Sequence, residues 1–281
     1  MKPFFVVCIA GLLLGTILFA RTDVQAQETT FATGDVLAAI GEGKVNWYSP
    51  QGNLIKTLRT GADGLNAGMA FDKDSNLYVT NFNANTVSKF DRRGNLTGVF
   101  GAEFGDNPES IVFDEQGVVY VGHAGKENTL SDVKLRKFDA TGKLLATYDL
   151  QTEQRGTDWI DLAADQCTIF YTSEGESVLR YNVCDQRQLP VLTTVLHGEA
   201  YALRILEDGG VLVADSVDIH RLDTQGNIIQ TYDVPNEDKW FALNRDPDGT
   251  SFWSGDISTG NIYRFDIASG KVLLGPIHAC N

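Results

Sequence analysis

Short apolar runs alternate with small polar segments along most of the chain. One representative stretch contains the runs Gly68–Phe71, Leu77–Thr80, Thr86–Phe90 and Leu96–Phe100. Each run is too short for a helix, is rich in Val, Tyr and Phe, and stops at Gly, Asn or Asp. The pattern predicts four short antiparallel strands joined by hairpin turns.

This group of four runs recurs, and a turn marks each copy. The next copy holds the runs Ser110–Phe113, Val118–Val121, Lys134–Phe138 and Lys143–Tyr148. The turns lie at Gly52, Gly94, Gly142, Arg187, Gly226 and Gly270, which are 42, 48, 45, 39 and 44 residues apart. That period is typical of a four-stranded propeller blade. Because such a sheet cannot bury both faces alone, the repeat predicts an all-β protein, a six-bladed β-propeller of four-stranded antiparallel blades.

Two copies carry the repeat most clearly. They read Asp72-Lys-Asp-Ser-Asn-Leu-Tyr-Val-Thr-Asn81 and Asp114-Glu-Gln-Gly-Val-Val-Tyr-Val-Gly-His123. These segments resemble the units of NHL-repeat and related TolB-like six-bladed propellers, and the resemblance covers residues 34 to 277. It implies that the whole of this region forms one ring of blades.

The first blade lacks an innermost strand in the sequence pattern. Asp35–Leu54 aligns with Gly210–Ile228, so the first copy begins at its second strand. Two explanations are open. Either Glu28–Thr33 supplies the missing strand, or the sequence is truncated and the ring is imperfectly sealed. We favour the second.

The N-terminus has the layout of a secretory signal. Lys2 precedes an apolar run from Phe4 to Ala20, and small residues at the right places allow cleavage after Ala26. A retained membrane anchor is the alternative, but the run is barely long enough to span a bilayer and is interrupted by glycine. We therefore expect a signal peptide at 1–26 and a single propeller domain at 27–281, secreted to the cell exterior or the periplasm.

The charge of the chain limits its partners. The full sequence has a formal net charge of −14, and removal of Lys2, Arg21 and Asp23 with the signal leaves −15. Such a surface repels phosphate backbones and anionic lipids. We expect a monomer that binds neither nucleic acid nor membranes after signal cleavage.

Two cysteines flank one predicted hairpin. A turn centred between Gly175 and Glu176 pairs residues whose numbers sum to 351, which is the sum for Cys167 and Cys184. Opposed positions bring two Cβ atoms to a separation that suits a disulfide, and an oxidising compartment would favour it. The alternative is a pair of buried free thiols. Cys280 is left without a partner and is expected to be inert.

Acids and aromatics concentrate where the central channel should open. They stand just before the innermost strands or at the ends of the second strands, and they are Asn66, Asn81, Asn107, Glu109, His123, Asp158, Trp159, Asp161, Glu174, Glu199, Tyr201, Asp215, Lys239, Trp240, Phe241 and Asp256. This composition suits a polar organic ligand or a divalent cation. The alternative is that the aromatics wedge between blades and the acids are solvated.

Ligand binding is therefore expected at one subset of these residues, namely Asn107, Glu109, His123, Asp158, Trp159, Asp161, Tyr201 and Trp240. Recognised catalytic motifs are missing from the sequence: there is no Gly-x-Ser-x-Gly, no His-Glu-x-x-His and no phosphate loop. The leading hypothesis is a secreted, non-catalytic binding or scaffold propeller that holds a glycan, peptide or small metabolite. No cofactor is assigned with certainty, and Ca²⁺ or another divalent cation is the candidate.

The rival hypothesis is an enzyme. Related six-bladed propellers include the calcium-dependent gluconolactonase and senescence-marker family and the streptogramin lyases. The resemblance implies counterparts of the ligands of Ca²⁺ or another divalent cation among Asn107, Glu109, Asp161, Glu174 and Asp215, with Glu109, Asp161 and Asp215 favoured, and it implies His123 as a base. The sequence departs from both families, because the strand that carries the lactonases' first ligand and the lyases' Gly-Pro-x-Gly signature are missing.

Overall fold

The computed structural model describes residues 29–102, 104–105, 107–125, 135–194 and 196–279, and these residues form six antiparallel sheets. The first three blades comprise β1 (Val36–Ala39), β2 (Lys44–Tyr48), β3 (Leu54–Arg59), β4 (Asn66–Phe71), β5 (Leu77–Asn81), β6 (Thr86–Phe90), β7 (Leu96–Phe100), β8 (Pro108–Phe113), β9 (Val119–His123), β10 (Leu135–Phe138) and β11 (Leu144–Tyr148).

The remaining three blades comprise β12 (Ile160–Leu162), β13 (Thr168–Tyr171), β14 (Leu179–Asn182), β15 (Arg187–Gln188), β16 (Ala200–Ile205), β17 (Val211–Asp215), β18 (Ile219–Leu222), β19 (Ile228–Tyr232), β20 (Trp240–Arg245), β21 (Ser251–Asp256), β22 (Asn261–Asp266) and β23 (Val272–His278). Five sheets have four strands in chain order and the first has three. The prediction of a six-bladed β-propeller with an incomplete first blade is confirmed.

The recurring Asp-x-x-Gly turn has one physical cause. In the second blade Asp91 Oδ1 accepts the N–H groups of Arg93 and Asn95, both at 2.9 Å. Gly94 supplies the left-handed conformation at φ 68° that closes the turn. The same arrangement recurs at Asp139 and Asp223, so the aspartate that marks each copy fixes the hairpin between its third and fourth strands.

The blades pack through apolar clusters between neighbouring sheets. Val119, Val121 and Ile111 meet Tyr78 and Phe100 between the second and third blades. Trp240, Phe252 and Phe265 belong to the largest cluster, which joins the last three blades. Burial of these faces against one another is the main stabilising contribution. Among the described residues, no helix has the length and apolar character needed to cross a bilayer.

The first blade shows what the missing strand does to its neighbours. All five residues of β5, β9 and β17 are buried, because an innermost strand covers each of these second strands. In β1 only Val36 is buried, and Leu37–Ala39 are partly exposed. Among the described residues, none pairs with the inner edge of strand β1.

Residues 29–33 do not fill this place. Within Glu28–Thr33, Glu28 lies outside the described residues and the others form no strand. Phe31 instead packs against the rings of Trp47 at 4.5 Å and Phe71 at 5.1 Å, at the end of β4 that is distant from Asn66. The predicted signal peptide at 1–26 and Cys280 also lie outside the described residues.

The predicted disulfide is present, but the register used to predict it is wrong by one residue. Cys167 and Cys184 are bonded, with a Cα–Cα distance of 5.3 Å. Strands β13 and β14 pair Thr168 with Asn182 and Tyr171 with Leu179, so paired numbers sum to 350. Cys184 therefore lies just beyond the ladder, where its N–H donates to Asn182 Oδ1 at 2.9 Å. The bridge links a strand end to a turn.

Candidate functional site: channel mouth and strand cleft

The two predicted sets of mouth residues face each other across the first two strands of the blades. The register pairs Asn66 with Asn81, Pro108 with His123, Ala200 with Asp215 and Trp240 with Asp256. All of these pairs stand at the same end of their blades. The sequence pattern therefore located one face of the ring correctly.

A β-bulge near the start of the innermost strand recurs in several blades. The register shifts between Pro108 and Ser110, between Ala200 and Ala202, and between Trp240 and Ala242. The extra residues are Glu109, Tyr201 and Phe241. Bulges of this kind reorient a side chain and are frequent beside functional sites.

Three aromatic rings form a continuous group at the mouth. The ring of Phe241 lies 5.4 Å from that of Tyr201 and 6.5 Å from that of Trp159. The guanidinium of Arg204 sits over Trp159 at 5.2 Å, within the range of a cation–π contact. We call Trp159, Tyr201 and Phe241 the aromatic group.

Trp240, expected to bind ligand, lies in the core instead. It is fully buried and packs against Tyr263 at 5.8 Å and Phe265 at 5.6 Å. The bulge after it turns the next residue, Phe241, to the channel side. Phe241 therefore occupies the channel-side position that was expected for Trp240.

Glu109, Asp158 and Glu174 form what we call the carboxyl cluster. Glu109 and Asp158 are almost fully buried, and both Glu109 and Glu174 interact electrostatically with Asp158. Neighbouring carboxyl groups can hydrogen-bond to each other only if they share a proton. Glu109 Oε2 and Asp158 Oδ1 have no hydrogen-bond partner among the described residues. Arg155 Nη1, 3.2 Å from Glu174 Oε1, is the neighbouring cation.

Burial shifts the protonation of this cluster. It raises the pKa of Glu109, and together with the charge of Glu109 it raises the pKa of Asp158 well above its usual range. Burial, followed by the charge of Asp158, raises the pKa of Glu174 to about 7 although Arg155 opposes the shift. At neutral pH the cluster therefore holds protons that an incoming cation can displace.

Tyr201 connects the carboxyl cluster to the aromatic group. Its hydroxyl donates to Glu199 Oε2 at 2.5 Å. Burial raises the pKa of Tyr201, and the charges of Glu199, Glu174 and Asp158 act in the same direction. The acidic and aromatic parts of the mouth are thus in electrostatic contact.

The other predicted site residues are not members of this cluster. Asp161 Oδ2 accepts the N–H of Ile205 at 2.8 Å, and Asp215 lies in the fifth blade beside His220. His123 is fully buried with Nε2 3.2 Å from Arg136, and Asn107 donates to Gly125 O at 2.7 Å. Among the described residues, Glu109, Asp161 and Asp215 do not form a group with ligand atoms close enough to share one ion.

A cleft occupies the place of the missing innermost strand, and we call it the strand cleft. Its volume is about 360 Å³. One wall is β1 with Ile40 and Gly41, the opposite walls come from β4, β20 and β21, and Trp159, Arg204 and Phe241 close it from across the channel. Asn66 and Asp256 line one end of the cleft, and this end lies at the mouth of the channel.

Several of these features were not deducible from the chain. Arg155 and Arg204 carried no pattern that marks them, because only the three-dimensional packing brings them to Glu174 and Trp159. Phe241 was in the mouth sets but was not singled out, and Glu174 was considered only as a possible metal ligand. The position of the strand cleft is indicated by the sequence, because the first copy of the repeat begins at its second strand.

Comparison with known proteins supports the fold. No family model matches this chain, and no curated protein matches its sequence. Among solved structures, virginiamycin B lyase from Staphylococcus aureus aligns with a TM-score of 0.55 and 15% identity, over 74% of this chain and 68% of that one. A streptogramin B lyase aligns with a TM-score of 0.56 and 15% identity, over 85% and 72%.

A propeller of another kind aligns equally well. The WD40 β-propeller domain of Doa1 gives a TM-score of 0.62 at 14% identity, over 86% of this chain and 78% of that domain. The chain has a β-propeller fold. At these identities the similarity shows the fold alone.

Proposed function

We propose that this protein is a secreted, non-catalytic binding propeller that holds an extended peptide segment in the strand cleft, with a basic group of the peptide toward the carboxyl cluster. The observation that carries the proposal is the uncovered inner edge of β1 beside an apolar cavity of about 360 Å³. The disulfide and the predicted signal peptide support secretion.

The chemistry of the cleft favours a peptide over a glycan or a small metabolite. A free strand edge presents unpaired N–H and C=O groups, which an added strand satisfies along its length. In the other blades this place is taken by an innermost strand of the chain itself, such as Asn66–Phe71. Ile40 follows the last residue of β1. At the corresponding position other blades have a polar residue, namely Asn81, His123 or Asp215. The cleft therefore selects apolar side chains of the ligand.

The electrostatics add a preference for positive charge. The whole chain is strongly acidic, with a formal net charge of −14. Trp159 and Phe241 line the cleft, and Tyr201 continues from them to Glu174 and Asp158. A lysine or N-terminal ammonium at the mouth end of the peptide would meet both carboxylates and ring faces.

The test uses a labelled peptide, Lys-Asn-Ala-Gly-Met-Ala-Phe, which copies β4 behind a lysine. Saturable binding by fluorescence anisotropy is expected. A version with proline in place of the central glycine should bind at least tenfold more weakly, since proline removes a ladder donor.

Two variants locate the binding. Ala242→Trp, on the exposed side of β20 within the cleft, should abolish binding by filling the space. Ala140→Trp, at an exposed turn of the third blade, is the matched control and should bind like the parent. Absence of binding by the parent protein, or equal binding by Ala242→Trp, would refute the proposal.

A divalent-cation-dependent lactonase or lyase is the second candidate. The carboxyl cluster favours it, because buried carboxyls with a raised pKa are typical of catalytic acids, and two known structures of this fold are streptogramin-type lyases. Opening of streptogramin B or of simple lactones should then depend on added Mg²⁺ or Ca²⁺, stop with EDTA, and be lost in Glu109→Gln. No turnover above buffer with either ion would exclude this candidate.

A further inference from the structure

Three metal-binding side chains converge on the fifth blade, away from the carboxyl cluster and the strand cleft. We propose that His197, Asp218 and His220 bind a transition metal ion of the Zn²⁺ type. Each offers one ligand atom, and these atoms all lie within 4.8 Å of one another. They come from the loop before β16, the turn between β17 and β18, and β18 itself.

Buried polar atoms beside the group support the proposal independently. His220 is 1% exposed, and its Nε2 has no hydrogen bond within the part of the chain that the structure describes. Asp215 Oδ2 lies 3.3 Å from that nitrogen and is likewise buried without a hydrogen bond. The two atoms contact each other, but neither has the well-aligned hydrogen bond that buried polar atoms normally have. A cation next to them would satisfy both.

The surrounding structure holds the ligands in place. Asp215 Oδ1 accepts the N–H groups of Val217 at 2.8 Å and Asp218 at 2.7 Å, which fixes the turn that carries Asp218. His220 Nδ1 lies 3.1 Å from Thr231 Oγ1 on the adjacent strand β19. The ring is thus oriented through Nδ1. A metal-binding histidine typically has its other ring nitrogen held by a hydrogen bond in this way.

The donor set selects the class of ion. Ca²⁺ and Mg²⁺ require mostly oxygen ligands, whereas two imidazoles with a carboxylate suit Zn²⁺, Ni²⁺ or Cu²⁺. Three protein ligands leave a position open for water or a ligand. His197 is exposed and Asp218 is half-buried, so the ion can enter from solvent.

The experiment titrates EDTA-stripped, desalted protein with ZnCl₂ in competition with a metal-sensitive dye. One Zn²⁺ per chain is expected, together with a higher Tm in the presence of Zn²⁺. His197→Ala should weaken binding at least tenfold, and because His197 is exposed this variant should fold normally. His278→Ala removes another exposed histidine and should bind like the parent.

Two further measurements separate the site from adventitious binding. Co²⁺ bound to the parent should give the visible absorption bands that are typical of a Co²⁺ ion with a low coordination number. These bands should be absent in His197→Ala. Asp215→Asn should weaken Zn²⁺ binding about 10- to 100-fold through loss of ligand orientation. Failure to bind Zn²⁺, undiminished affinity in His197→Ala, an equal loss in His278→Ala, or equal competition by Ca²⁺ would each overturn the proposal.

Discussion

Protonation of Glu174 makes the stability of the protein depend on pH near neutrality. Its pKa is about 7 in the folded state, against an ordinary value of 4.5. The folded state therefore binds more protons than the unfolded state between these values, so stability should rise as pH falls from 8 toward about 5. Asp158 and Glu109 shift in the same direction. Thermal unfolding across this pH range measures the effect.

The variant Glu174→Gln isolates the contribution of this residue. It should flatten the rise in Tm between pH 8 and 5, whatever its effect on Tm at any single pH. Glu176→Gln, at an exposed position of the same connection, should keep the slope of the parent. An unchanged slope in Glu174→Gln would show that the carboxyl cluster does not titrate as described.

Residue identity at the mouth was predictable, but residue orientation was not. The sequence places Trp240 and Phe241 side by side at the start of an innermost strand, and alternation alone does not say which faces the channel. The bulge between Trp240 and Ala242 decides it in favour of Phe241. The proximity of Glu109 and Asp158, which belong to different blades, likewise depends on packing that no local pattern encodes.

At the scale of strands, neighbouring blades approach so closely that only glycine fits at certain points. A Cβ on Gly122 in β9 would lie under 3.0 Å from Thr157 O and from Ser110 Oγ. Gly122→Ala should therefore push the third and fourth blades apart, at a cost of about 1–3 kcal/mol. Chemical denaturation should show this loss as a lower midpoint.

A matched position in the sixth blade serves as the control. Gly255 precedes Asp256 in β21 as Gly122 precedes His123 in β9, but a Cβ there would meet its nearest atom at 3.6 Å, an ordinary contact. Gly255→Ala should leave the midpoint within about 0.5 kcal/mol of the parent. Equal effects of the two substitutions would contradict the close-approach explanation.

The strands themselves were largely predictable because their signal repeats. The runs expected at Thr86–Phe90 and Leu96–Phe100 coincide with β6 and β7. The error in the hairpin of Cys167 and Cys184 arose because the turn was centred from the sequence, and a centre displaced by half a residue changes every pair. The disulfide prediction is nevertheless correct, because Cys184 lies just past the last pair of strands β13 and β14.

At the scale of the ring, the described residues form the smallest apolar cluster at the junction between the sixth and first blades. Its cluster contains Val36, Tyr48 and Trp253 as the buried residues, whereas the clusters at other junctions are larger. The reason is the missing strand, which would have covered β1 and contacted both neighbouring blades. The junction is held instead by side chains on the outer strands, such as Ile277, which packs near Gly52.

Supplying that strand should seal the ring. Ala279 follows β23, lines the strand cleft, and accepts a hydrogen bond from Asn46 at 3.1 Å. We therefore expect a segment added after Asn281 to start at the mouth and to run antiparallel to β1. Extension by Gly-Gly-Asn-Ala-Gly-Met-Ala-Phe should stabilise the protein on the order of 2 kcal/mol and raise Tm by roughly 5 °C. It should also abolish binding of the labelled peptide, because the cleft is then filled from within. The same extension with aspartate replacing Met and Phe is the control and should change neither quantity; if both extensions act alike, the cleft is not a strand site.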